Sequence, residues 1–534
     1  MNAGAIRRAE LLDTTLRDGA QMRGISFSLE DKLKIVRLLD SVGVPLIEAG
    51  NPGSNPKDIE FFERASSLNL TYSALAAFGS TRRAGICAEA DAGLASLVKS
   101  GAAVVAIVGK CWDFHVREVL KTSYAENVSM IYDSVLFLSK KGIRVIFDAE
   151  HFFDGYTADP SFAMECLEAA HSAGASVLCL CDTNGGTFPS RISAVTAITV
   201  SHFARGREGP ARPVIGIHCH NDGGMAVANT ISAYEAGADH IQVTVNGYGE
   251  RCGNADFCAV APNIQIKAGG LCLPDGMLAR LTALSRQVSE IANIPHNETS
   301  PYVGGNAFSH KGGMHIDGVV KSPATFEHIE PSAVGNSRNY LLSEVSGRSY
   351  LLRKVRQFAP EAEKDSAVLQ TVLNKLKELE FDGNQYEGAE ASFELVIKKL
   401  LNIYQPHFTL VEFKVIVNEP SVENFGSAAM IKIRVNGQDE ITADEGDGPV
   451  EALDRAIRKA MERFYPQLKK MKLTDYKVRV IDSASATAAK VRVLIESTDG
   501  VETWTTVGAD CDVIHASWKA LVDSMEYMLM RAPE

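Results

Sequence analysis

Several features that would assign this chain to a class at once are missing. Its ten cysteines include no Cys-x-x-Cys pair, so no all-cysteine zinc site is spelled out. Cys179 and Cys181 sit in an apolar Val-Leu-Cys-Leu-Cys run, the pattern of reduced, buried thiols in a cytosol. No apolar stretch approaches the ~20 residues that span a bilayer, and the opening Met-Asn-Ala-Gly-Ala-Ile-Arg-Arg lacks the apolar core of a signal peptide. A cytoplasmic protein with no membrane partner is expected. Positive charge is also short: 54 Lys and Arg face 66 Asp and Glu, a net charge of −12. That argues against nucleic acid, whose phosphates need a basic face. It leaves anionic small molecules open, because a local cluster of Arg, metal and N–H groups outweighs a remote net charge. Finally, no Gly-x-Gly-x-x-Gly follows the first strand-like run. Leu16-Arg17-Asp18-Gly19 stands there instead, which weakens a doubly wound dinucleotide fold.

What is present has a rhythm. Hydrophobic residues make up 46% and charged residues 22%, the balance of a globular protein. A length of 534 calls for two or more domains. Short apolar, β-branched runs recur at 11–15, 46–50, 72–78, 104–109, 144–150, 177–183, 214–221 and 240–247. Helix-like stretches such as 29–42, 127–141 and 160–173 separate them. Apolar strands alternating with helices indicate a parallel sheet covered on both faces. Eight units in about 250 residues predict a (β/α)8 TIM barrel, with an open doubly wound sheet as the competitor. The expected division is a catalytic barrel over 1–270, helical linker subdomains over 271–400 that contribute to the active site, and a C-terminal regulatory α/β domain over 401–534. A linker is expected near 384–391. The last part repeats internally: Phe413-Lys-Val-Ile-Val resembles Tyr476-Lys-Val-Arg-Val, and 450–461 resembles 514–525. Two βββα units stacked into one module follow.

The polar residues fall at strand ends. Arg17 and Asp18 follow the first run. Glu48, Glu150, Thr183, His218 with His220, and Asn246 close later ones. These are the C-terminal ends, where barrel enzymes keep their chemistry. In Ile217-His218-Cys219-His220-Asn221-Asp222, alternation along a strand sends both imidazoles to one side, a metal-ligand geometry. Two ordinary histidines are the plain alternative. A carboxylate at Asp18 tips the reading towards metal. Arg17 beside it is either a surface ion pair or an oxyanion stabiliser. Asn254 lies in the Gly-rich stretch 246–255 and can add an amide oxygen. A mixed Asp, His, His and Asn set with open positions favours Mg²⁺ or Mn²⁺, with Zn²⁺ in an open site as the other option.

Three segments carry a resemblance: Asp13-Thr14-Thr15-Leu16-Arg17-Asp18-Gly19, His218-Cys219-His220-Asn221-Asp222 and Gly249-Glu250-Arg251-Cys252-Gly253-Asn254-Ala255. They resemble the signatures of the DRE-TIM metallolyase superfamily, which includes isopropylmalate, homocitrate and citramalate synthases and HMG-CoA lyase. Lyases of the last type carry a Gly-Gly-Cys-Pro loop; Gly-Glu-Arg-Cys-Gly-Asn-Ala resembles the synthases. Gly24-Ile-Ser-Phe-Ser28, Pro52-Gly-Ser-Asn-Pro-Lys-Asp58, Ala77-Phe-Gly-Ser-Thr-Arg-Arg83, Asp148-Ala-Glu-His-Phe-Phe-Asp-Gly155, Cys181-Asp-Thr-Asn-Gly-Gly-Thr187 and His310-Lys-Gly-Gly-Met-His315 resemble the long citramalate synthase branch. The C-terminal repeat is similar to the regulatory domain of isopropylmalate synthases. Two departures stand out: Cys219 replaces the usual Thr between the histidines, and Ala49-Gly50-Asn51-Pro52 replaces Gly-Gly-Trp-Pro.

The resemblance implies an acyltransferase that condenses acetyl-CoA with pyruvate, as the first step of a route to 2-oxobutanoate and isoleucine. Other keto acids, as in isopropylmalate or homocitrate synthesis, are alternatives. A non-catalytic amino-acid sensor on a degenerate barrel is a reading of another class, opposed by the intact Arg17, Asp18, His218, His220 and Asn254. The implied ligands are Asp18, His218, His220 and Asn254. Arg17 would stabilise negative charge, and Glu150 or His315 would be the base. Glu150 has a plainer role as a partner of Arg17, and His315 as a turn cap. Thr183 would hold the substrate carboxylate, or simply pack. Gln21 and Glu48 would be further substrate contacts. Cys219 should point away from the metal. A homodimer and an isoleucine effector at the C-terminal domain are also implied.

Overall fold

Eight parallel strands close on themselves. They are β1 (Glu10–Asp13), β2 (Leu46–Glu48), β3 (Ala74–Ser80), β4 (Val104–Lys110), β5 (Arg144–Glu150), β6 (Val177–Asp182), β7 (Val214–Cys219) and β8 (His240–Val243), in sequence order. Glu10 pairs with His240 and Asp13 with Val243 to complete the ring. This computed structural model describes residues 6–204, 211–340, 348–363, 366–386, 388–422, 425–481, 489–500 and 502–531. Glu387, inside the expected linker, lies outside them. The TIM barrel read from the strand rhythm is the fold observed, and the open sheet is not.

Alternation along each strand divides the core in two. Leu12, Leu46, Ala76, Val104, Ala106, Ile146, Val177, Cys179 and Cys181 fill the barrel. Their neighbours Leu11, Ile47, Val105, Ile107, Val145, Phe147, Leu178, Leu180 and Ile217 pack outward in the cluster shared with the helices. Both faces of a parallel strand are therefore dry, which is why the runs read as continuous apolar stretches. The helices start where the chain supplies caps. Ser28 and Asp31 form a reciprocal capping box before Leu29–Ser41, and Asp159 caps Pro160–Ser172 with proline at its first turn. Such caps satisfy orphan N–H groups.

By internal contacts the chain forms two units, Met1–Phe308 with Ile329–Arg338, and Ser309–His328 with Asn339–Glu534. The first unit runs beyond 270 because the helix Leu281–Ala292 buries Leu281, Leu284, Val288 and Ala292 in the barrel's outer core. In the second unit, β9 (Ser309–His310) pairs with β10 (Asn339–Tyr340). The helices Arg348–Arg356, Ala367–Phe381 and Glu390–Leu400 share one apolar cluster. The repeat then appears as strands and a helix, twice. β11 (Thr409–Val422), β12 (Phe425–Val435) and β13 (Gln438–Gly446) precede the helix Pro449–Met461. β14 (Lys472–Val480), β15 (Val491–Thr498) and β16 (Thr503–Asp510) precede the helix Val513–Arg531. Ile431, Ile433, Leu453 and Ile457 of the first half share a core with Trp504, Trp518 and Met525 of the second. No helix among the described residues is long and apolar enough to cross a membrane.

The N-terminal end of the barrel is closed by charge. Arg144 at the start of β5 reaches across to Glu10 on β1 with two 2.7 Å hydrogen bonds, and His240 Nδ1 lies 3.0 Å from Glu10. Burial alone would raise the Glu10 carboxyl, but His240 and Arg144 outweigh it and bring it from 4.5 down to about 2. A depressed carboxylate stabilises the fold fully above its unfolded value and loses that contribution as pH falls through the folded value. Glu10→Gln should therefore lower the unfolding midpoint at neutral pH, and the gap to wild type should close as pH falls from about 4.5 towards about 2. Urea titrations of both proteins across that window check it; a gap independent of pH would be the contrary result.

Candidate metal centre

At the other end of the barrel three donors converge. Asp18 lies in the turn after β1, His218 on β7 and His220 just past its end. One ligand atom from each lies within 4.8 Å of the others. His218 Nε2 is 3.4 Å and His220 Nε2 3.9 Å from Asp18 Oδ2, and the two Nε2 atoms are 3.2 Å apart. Fewer than one-tenth of each residue is exposed. The protonation states suit a cation. Burial lowers both imidazoles, His220 to about 4 with help from His218, so both rings are neutral near pH 7. Burial would raise the Asp18 carboxyl, but Arg17, His218 and His220 together hold it below its ordinary value. His218 Nδ1 is 2.9 Å from Gln242 Oε1 and donates to it, which leaves the lone pair on Nε2.

Asn254 joins them through backbone geometry. The loop after β8 folds back on β7, with Asn221 N bonded to Gly253 O, Ala255 N to Cys219 O, and a bridge between His220 and Asn254. Gly253 has φ +88°, and a Cβ there would stand 2.0 Å from Gly247 O. Only glycine fits that corner. Asp18 Oδ1 and Asn254 Oδ1 are buried without a hydrogen-bond partner. Buried polar atoms are normally satisfied; two orphaned oxygens beside two imidazole lone pairs fit a divalent cation, which takes up that unmet donor capacity.

Arg17 stands beside the centre. Its Nε bonds Glu48 Oε2 at 2.6 Å, its Nη1 bonds Asp18 Oδ2 at 3.1 Å, and its guanidinium carbon lies 3.9 Å from the centre of the Phe78 ring. Glu48 also accepts from Thr14 Oγ1 at 2.5 Å and is wholly buried. Glu48 was expected among the substrate contacts; the structure places it under Arg17. Glu150 pairs with Lys110 Nζ, so the plainer expectation of an Arg17 partner is not what the geometry gives. Thr183 Oγ1 accepts from His151 N at 2.8 Å, leaving its own proton free to donate, and its carbonyl accepts from Arg251 Nη2. Gln21 is exposed one turn beyond Asp18. His315 belongs to the second unit, on the helix Gly313–Lys321, and its ring stacks on that of Phe326 with centroids 4.1 Å apart. Cys219 packs in the outer core, away from the donors. Asn246 corrects the strand-end pattern. It sits at φ +59° and bonds Ser285 O and Ser289 Oγ on the helix Leu281–Ala292, a structural clasp.

Gln242 and Asp148 were missed. Gln242 Nε2 donates to Asp148 Oδ1 at 2.8 Å, and burial, then Glu48, pushes the Asp148 carboxyl up to about 7. The signal was a polar residue at an inward position of β5 and of β8, inside runs otherwise read as core.

A closed parallel barrel with a neutral His pair, a carboxylate and an amide at its C-terminal rim defines a barrel protein with a candidate divalent-metal site. Residues 8–288 match the HMGL-like family, 302–384 the homocitrate synthase post-HMGL domain-like family, and 387–529 the LeuA allosteric (dimerisation) domain. An (R)-citramalate synthase of Synechocystis sp. is 47% identical over 525 residues, covering 97% of this chain and 96% of its own. One of Aquifex aeolicus is also 47% identical over 525 residues, with 98% of each chain covered. A probable 2-isopropylmalate synthase of Methanopyrus kandleri is 32% identical over 535 residues, covering 98% and 99%. The chain belongs to the HMGL-like family and, within it, to the citramalate synthase family.

Asp18→Ala and His218→Ala should each abolish Mn²⁺ binding in calorimetry while the metal-free proteins still unfold cooperatively. Undiminished binding by either would remove that residue from the centre.

Proposed function

We propose that the chain is an (R)-citramalate synthase, joining acetyl-CoA, pyruvate and water into (R)-citramalate and CoA. The observation that carries this is the convergence of Asp18, His218, His220 and Asn254 beside Arg17, in a chain 47% identical to synthases of that name over nearly its whole length. The cation is Mg²⁺ or Mn²⁺, since oxygen and imidazole donors with open positions suit them. Bound by those four residues, it supplies Lewis-acid polarisation of the keto group.

The chain's own residues do the rest. Arg17, its guanidinium fixed by Glu48 and Phe78, stabilises negative charge as it develops on the keto oxygen. The free hydroxyl proton of Thr183 meets the substrate carboxylate, and Gln21 lies along the same rim. Glu150 or His315 removes the methyl proton of acetyl-CoA. Glu150→Gln and His315→Ala distinguish them: only loss of the base suppresses solvent deuterium exchange into that methyl group. The functional parts are a barrel over 1–270, a linker region over 271–400 and a regulatory domain over 401–534. Ten free cysteines suit a reducing cytoplasm.

The match of 387–529 to a dimerisation domain supports a homodimer. So do the apolar side chains left in solvent on the two sheets, Ile416, Val417, Val478 and Val480. An isoleucine effector at this domain needs a different affinity in two states. Deleting residues after Gln405 should abolish isoleucine inhibition; inhibition that survives sinks that assignment.

The activity test is CoA release, read with a thiol reagent, in the presence of Mg²⁺ or Mn²⁺. Pyruvate should support it and 2-oxoisovalerate should not. The reverse preference would make the chain an isopropylmalate synthase, a reading that the 32% relative keeps in view.

A further inference from the structure

Below the metal centre a three-residue line of hydrogen bonds crosses the barrel interior. His218 Nδ1 on β7 bonds Gln242 Oε1 on β8 at 2.9 Å, and Gln242 Nε2 bonds Asp148 Oδ1 on β5 at 2.8 Å. Gln242 and Asp148 are 1% and 4% exposed, so water does not compete. A glutamine amide alone fits an imidazole either way round. With its oxygen towards Nδ1, the ring carries its proton on Nδ1 and its lone pair on Nε2. With its NH₂ towards Nδ1, the proton moves to Nε2 and the lone pair is lost to the metal side. An ionised carboxylate can only accept. Asp148 therefore claims the NH₂ end of Gln242 and turns its oxygen towards His218.

We infer that Gln242 and Asp148 are positioning residues that set the tautomer of His218, Asp148 fixing the orientation of the amide and the amide fixing which ring nitrogen faces the cation. The inference rests on the metal-centre reading above and extends it. Neither residue touches substrate or cation. Their effect is on the affinity for the ion, where partners behind a ligand are worth about 10- to 100-fold. The chemical step itself depends on them only through occupancy of the site.

The experiment is Mn²⁺ binding to the full-length protein by calorimetry, above the value of about 7 to which burial raises Asp148, so that its carboxyl is charged. Gln242→Met keeps the side-chain volume and removes both bonds. It should weaken Mn²⁺ binding about 10- to 100-fold, with turnover recovering at saturating Mn²⁺. The double variant Asp148→Asn with Gln242→Glu exchanges the carboxylate and the amide. The amide now on β5 would donate to the carboxylate now on β8, whose other oxygen still accepts from His218 Nδ1, so most of the affinity should return. A role in core filling alone would instead leave Gln242→Met, which keeps the volume, at wild-type affinity. Wild-type affinity in Gln242→Met, or no recovery in the exchanged pair, overturns the relay. Absence of Mn²⁺ binding by the wild type overturns the metal centre and the relay with it. Thermal unfolding of the metal-free variants separates lost affinity from lost fold, and the exchanged pair keeps the test open if Gln242→Met does not fold.

Discussion

Arg17 carries a full positive charge with only 13% of its side chain exposed, and the rim of the barrel is arranged around that fact. A cation out of water is costly unless it is paired and hydrogen-bonded. Glu48 supplies the pairing from the next strand, Asp18 from the next residue, and the face of Phe78 lies against the guanidinium plane. Removing one partner of such a pair typically costs about 3–5 kcal/mol, because the other charge is stranded. Arg17, Glu48 and Asp18 therefore stand or fall together. Asp18 is drawn into the same network that keeps its carboxylate ionised for a metal.

The barrel converts this local arrangement into a site. Asp18 and His218 are two hundred positions apart, yet β1 and β7 both flank β8 in the closed ring. Inward positions near the C-terminal ends of the strands thus face one another across a few ångströms. The opposite mouth uses the same principle for stability alone, with Glu10, Arg144 and His240 tying β1, β5 and β8 together. Chemistry at one end and clamping at the other is the division expected of this fold.

The second unit answers a different constraint. Each βββα half has one helix and one three-stranded sheet, too little to enclose a core, and the two share theirs. The edge strands β11 and β14 still leave Ile416, Val417, Val478 and Val480 in solvent. Residues 387–529 also match a dimerisation domain.

Strand rhythm was enough to give the barrel, because continuous apolar runs of five to eight residues separated by amphipathic stretches have few other outcomes. Alternation was enough to put His218 and His220 on one side, and the internal repeat to give the two βββα halves. Tertiary structure decided the partners. Glu48 reads as a rim carboxylate in sequence and turns out to be buried beneath Arg17; Glu150 reads as a possible partner of Arg17 and instead meets Lys110. Asn246 has the position of a site residue and the hydrogen bonds of a clasp, since its left-handed backbone turns its amide to the helix Leu281–Ala292. Gln242 and Asp148 were passed over because a single inward polar residue does not break the apolar run around it. A sequence sets which way a side chain leaves its strand, whereas what it meets depends on strands that only the closed ring brings together.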